Sequence, residues 1–87
     1  MIIIKKSGKK EEFSAEKLSR SIAAASDEAN QPLNESDLKM ILAEFRQIIS
    51  GKDLITTQQI DVIVNGLLYS KGYYGILEQY KSYYKRK

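Results

Sequence analysis

The sequence predicts an α+β fold that is mainly α, a four-helix cluster capped by a small N-terminal β-hairpin or three-stranded sheet. Three observations carry that expectation. Three isoleucines at residues 2–4 run straight into a glycine-containing turn, which is a hairpin pattern. Four later segments repeat apolar residues at intervals of three and four, the spacing that lines one face of a helix. Between those segments stand residues that start and stop helices.

In chain order, Ile2 to Lys5 form the first strand, Lys6-Ser7-Gly8-Lys9 the turn, and Lys10 to Phe13 the return. Ser14 is the expected N-cap of a first helix, with Glu16 near the positive end of its dipole and Leu18, Ile22, Ala25 and Ala29 along its inner face. Asn30-Gln31-Pro32 breaks that helix. Asn34 and Asp37 then restart the chain in the manner of a capping box, with Asp in place of the usual Glu or Gln. The second helix carries the strongest stripe: Leu38, Ile41, Leu42, Phe45, Ile48 and Ile49, ended by Ser50-Gly51. Leu54 and Ile55 are expected to add a third strand. Thr56 and Gln59 have capping-box spacing, and helix three turns Ile60, Ile63, Val64, Leu67 and Leu68 inward. Lys71-Gly72 stops it, and helix four runs from about Tyr73 with Ile76, Leu77, Tyr80 and Tyr84 on one face.

Eighty-seven residues are expected to make one domain over 1–87, burying roughly 60 to 65% of the unfolded surface. Hydrophobic residues at 43% and charged residues at 29% are a globular composition, not a disordered one. With no cysteine and no histidine, disulfides and the usual zinc sites are excluded, and only oxygen ligands remain for a metal such as magnesium. The N-terminal apolar run is too short for a signal peptide and no stretch approaches spanning length, so a cytoplasmic protein is expected, with no membrane partner. Charge is segregated. Lys5, Lys6, Lys9 and Lys10 at one end, and Lys81, Lys85, Arg86 and Lys87 at the other, supply eight positive charges without an acid. Against +3 overall, this leaves the middle at −5. If the ends meet, they form a basic patch suited to a compact polyanion; if not, they are two solvated tails.

A set of residues in order then resembles a known family: Ile3-Ile4-Lys5-Lys6-Ser7-Gly8, followed by Glu11, Phe13, Ser14, Lys17 and Leu18, then Ile55-Thr56-Thr57 with Ile60 and Val64, then Tyr80 with Tyr83 or Tyr84 and a basic end. The chain resembles an ATP-cone domain, a regulatory nucleotide-binding module found at the N-terminus of ribonucleotide reductase large subunits and in the bacterial repressor of reductase genes. The family's opening is commonly Val-x-Lys-Arg-Asp-Gly. Here Lys6 replaces the arginine and Ser7 the aspartate, which exchanges a bidentate phosphate fork for a point charge. The resemblance implies a non-catalytic sensor of ATP or dATP, with or without Mg2+, acting on a reductase or another regulated protein or through homo-oligomer assembly. By position it gives Lys5, Lys6 and Lys17 to the phosphates, Glu11 and Ser14 to sugar and base, and Lys87 to further phosphate contact. Asp61 stands where some reductases have a histidine facing the nucleotide.

Elementary chemistry is consistent with these positions. Ile3 and Lys5 share a strand face, an apolar surface beside a cation. Lys17 and Thr57 stand at helix starts, where free amides and the dipole favour an anion. Charge-assisted hydrogen bonds of roughly 1.5–3 kcal/mol each allow three lysines to reach about micromolar affinity after ordering costs. Other readings of the same residues remain: hairpin lysines block edge-to-edge pairing, and Ser14 and Thr57 serve as caps. Tyr73, Tyr80 and Tyr84 follow the core stripe, whereas Tyr69, Tyr74 and Tyr83 are expected at the surface. Two alternative functions are a nucleic-acid-binding regulator fragment, suggested by basic ends and tyrosines, and a degenerate cone kept as an oligomerisation module. Nucleic acid is the less expected partner, because the chain has no cysteine and so no zinc ribbon with which the repressors read DNA. An initial methionine fits a whole protein and an excised domain equally.

Overall fold

A computed structural model describes residues 1–85, and side chains through residue 82. Three short strands, β1 (Ile2–Ile4), β2 (Lys10–Glu12) and β3 (Leu54–Thr56), join four helices, α1 (Ala15–Glu28), α2 (Glu35–Ile48), α3 (Thr57–Ser70) and α4 (Tyr74–Lys85). β1 lies in the middle of the sheet, antiparallel to β2 and parallel to β3. The expected third strand is therefore present. Its parallel direction follows from the long crossover through α1 and α2, since a parallel neighbour cannot be reached by a tight turn.

The hairpin closes where the Gly8 N–H donates to the Lys5 carbonyl at 2.8 Å and the Lys5 N–H to the Lys9 carbonyl at 2.9 Å. Gly8 has φ +85°, a conformation that glycine reaches without a Cβ clash. Ser14 caps α1 by accepting from the Lys17 N–H, and capping boxes are complete at Asn34/Asp37 and Thr56/Gln59. Thr57 is not a cap: it is the first residue of α3, because Thr56 is the last residue in extended conformation (φ −88°, ψ 157°) and its hydroxyl takes the Gln59 N–H. At the other ends, α1 stops at Asn30, which has φ +54°, and α3 at Gly72, with the paired back-bonds Gln31 to Ser26 and Tyr73 to Leu68 that satisfy the last carbonyls.

One core runs through all four helices and the sheet, built on Leu18, Ile22, Phe45, Ile55, Val64, Leu68 and Ile76. The Phe13 ring stacks on Phe45 at 5.6 Å and ties the end of the hairpin to α2. Ile48 departs from expectation. It is 50% exposed, because Ile49 turns into the core one position later and carries Ile48 about 100° around the axis to the outside. Tyr80 is buried, Tyr73 partly so, and Tyr69 and Tyr74 are exposed and packed ring against ring, as the helical spacing predicts for their exposure. The side chains of Tyr83 and Tyr84 lie outside the described residues. No helix among the described residues is long and apolar enough to cross a membrane.

Candidate functional site

The site is built where three element ends converge: the hairpin, the first turn of α1 and the first turns of α3. Ile3 sits mid-strand in β1, paired with Glu11 on one side and Ile55 on the other. Residues directly opposite in an antiparallel pair share a face, so Ile3 and Glu11 point the same way, and strand alternation brings Lys5 to that face too. That is the face covered by the helices: Ile55 is buried and Ile3 packs, half-buried, against the core.

The charges on this face are interlocked. Glu11 Oε2 lies 2.9 Å from Lys5 Nζ, and Oε1 of the same carboxylate lies 3.8 Å from Lys17 Nζ. The Lys5 hydrogen bond holds the Glu11 carboxyl below its ordinary range, opposed by some desolvation and reinforced by the charges of Lys5, Lys17 and Lys9. Ser14 belongs to the same corner, since its hydroxyl accepts from the Lys17 backbone N–H at 3.3 Å. Cap and site residue thus coincide, and Ser14 holds the turn from which the Lys17 side chain projects, 69% exposed.

A second polar pair joins α3 and α4. The Tyr80 hydroxyl donates to Asp61 Oδ1 at 3.3 Å, joining α4 to α3. Burial pushes the Asp61 carboxyl up, against the lowering effects of the Tyr80 hydrogen bond and of the Lys6 charge. Thr57 and Asp61 lie one helical turn apart on the same face of α3, which aligns Thr57 with this pair.

Of the residues expected from sequence, Ile3, Lys5, Glu11, Ser14 and Lys17 are brought together; Lys6 is exposed in the hairpin turn next to Lys5, and Thr57 directly follows Thr56, the β3 partner of Ile4. Lys87 lies outside the described residues. The helical spacing of Tyr80 points only to the core; nothing in it reveals that the hydroxyl is the partner of Asp61. Lys9 and Lys10 are exposed at the surface of the hairpin.

The arrangement offers the ammonium groups of Lys5 and Lys17, with Lys6 next to Lys5 in the turn, an apolar strand face and two helix starts, which together suit a phosphate-bearing ligand with an apolar part. Among the described residues no three acidic side chains gather into a metal-holding group. A separate groove of about 590 Å3, between the end of α2 and the start of α3, is lined by Ile48, Lys52, Gln58, Val62 and Ile63 among others. Among the described residues its lining holds none of the expected site residues and a single cation, Lys52, which is little charge for a polyphosphate. Compared with known proteins, the chain matches the family model described as the ATP cone domain over residues 1–87. No curated protein matches it at a significant level.

Proposed function

The chain belongs to the ATP-cone family, a family of regulatory nucleotide-binding modules, and from this premise we propose that it senses ATP or dATP as one non-catalytic domain over residues 1–87. The observation that carries the proposal is the meeting of Lys5 from the hairpin and Lys17 from α1 on one carboxylate, Glu11, which shares a sheet face with the half-buried Ile3. In this reading the three lysines take the phosphates, Ile3 lies under the base or ribose, and Glu11 and Ser14 meet sugar and base. Thr57 lends a hydroxyl at the α3 start, and Lys87 adds a further cation. Magnesium, where present, arrives on the phosphates, its usual mode of binding. The regulated partner is a reductase or another cytoplasmic protein, or a second copy of the chain.

Isothermal titration calorimetry with ATP, dATP and ADP, with and without magnesium, tests the proposal. Saturable heat with a nucleotide preference is expected; the absence of heat at millimolar nucleotide would overturn it. A second reading, in which the fold is kept purely for assembly, draws on the exposed apolar side chains Ile48, Leu54 and Val62. A melting temperature and an oligomeric state that both ignore nucleotide would favour this second reading.

A further inference from the structure

We propose that Glu11 is the internal counter-ion of the phosphate subsite, and the residue by which the domain favours a nucleoside triphosphate over bare polyphosphate. This rests on the nucleotide reading and deepens it. The Glu11 carboxylate takes two ammonium groups from two different elements, Lys5 at the end of β1 and Lys17 in the first turn of α1. Those are the groups a polyphosphate needs. A phosphate oxygen arriving at them competes with the carboxylate for the same N–H donors and is repelled by its charge, so Glu11 gives up both contacts when phosphate is seated.

What the ligand offers in return decides the outcome. An ionised carboxylate only accepts hydrogen bonds, so a displaced Glu11 requires a donor. It shares its sheet face with Ile3, the apolar surface beside which a sugar and base would lie. A ribose hydroxyl there supplies the donor, and the exchange of partners is then complete. Ionised tripolyphosphate has no hydroxyl to give, so it takes the lysines and leaves Glu11 unpaired next to its own negative charge.

The ion pairs are partly exposed, which limits the effect to about two- to fivefold in affinity. The experiment is calorimetry of ATP and of inorganic tripolyphosphate on the full chain and on two variants, Glu11→Gln and Glu16→Gln. Glu16 pairs with Arg20 and not with Lys5 or Lys17, so its variant carries the same net charge and controls for the general field. Glu11→Gln is expected to bind tripolyphosphate about two- to fivefold more tightly than Glu16→Gln, while its ATP affinity gains less or falls, narrowing the preference for ATP. Should circular dichroism show Glu11→Gln unfolded, Glu11→Asp, which draws the carboxylate back by one methylene, is expected to act in the same direction. Tripolyphosphate binding no tighter in the Glu11 variant than in the Glu16 variant, with ATP still bound by the wild type, overturns this proposal alone. A wild type that binds neither compound overturns the nucleotide reading and this proposal with it.

Discussion

At the scale of single residues, the two carboxylates of the site respond to pH in opposite senses. Asp61 is raised by burial, so the folded state holds its proton more tightly than the unfolded chain. Its favourable contribution is complete below the ordinary aspartate range and is lost as pH rises through the folded value. Ionised Asp61 therefore costs stability at neutral pH. Asp61→Asn keeps an oxygen for the Tyr80 hydroxyl and removes that cost. Thermal melts should show the variant's Tm above wild type by on the order of a few degrees at pH 7, with the gap closing as pH falls towards 4. Glu11, lowered by Lys5, behaves in reverse: it contributes above its ordinary range, and the contribution fades as pH falls through the folded value. In the proposed reading the lysines carry the ligand. Lys5→Ala combined with Lys17→Ala is expected to weaken ATP binding by about ten- to a hundredfold in calorimetry while leaving the melting temperature within a few degrees.

At the scale of elements, the neighbouring threonines have separable roles, Thr56 as the cap and Thr57, in the proposed reading, as a ligand contact. Thr56 closes β3 and caps α3, its hydroxyl accepting from Gln59 at 3.1 Å while Gln59 accepts the Thr56 N–H at 3.0 Å. Thr56→Ala should cost about 1 kcal/mol, a Tm drop of about 4–8 °C in a chain of this size. Thr57→Ala should leave stability nearly unchanged and show its effect, if Thr57 meets phosphate, in nucleotide affinity alone. The hairpin depends on Gly8. Its φ is +85° and the space where a Cβ would stand is open, so replacement by alanine meets only backbone strain, about 1 kcal/mol or somewhat more. Because Lys5, Lys6 and Glu11 ride on that hairpin, Gly8→Ala is expected to lower ATP affinity along with the melting temperature.

At the scale of the molecule, site and core share supports. Phe45 is fully buried and stacks under Phe13, just beyond Glu11 in the chain. Phe45→Ala should cost about 3–5 kcal/mol, a large share of the roughly 5–15 kcal/mol that holds a small domain together, and urea titration should register it as a much lower midpoint. Ligand binding acts on the same balance: ATP at about a hundred times its dissociation constant should add about 2.7 kcal/mol to the stability of the wild type and much less to that of the Lys5/Lys17 double variant.

Much of this protein is legible in its sequence. The three- and four-residue spacing of Leu18 to Ala29 and Leu38 to Phe45, the caps at Ser14, Asn34 and Thr56, and the stops at Asn30 and Gly72 are local signals. Hydrogen bonds within one turn of chain enforce them, so the four helices and the hairpin follow from sequence alone. The gathering of Lys5, Ser14 and Lys17 is legible for a similar reason, since all lie close together in the chain. What only the tertiary structure decided is how the elements are placed against one another: β3 running parallel to β1, the side of α2 that faces the core, which leaves Ile48 outside and Ile49 inside, and Tyr80 donating to Asp61. Each depends on how completed helices are rotated and docked against one another, and that is set by packing across the whole core, which no local pattern in the chain encodes.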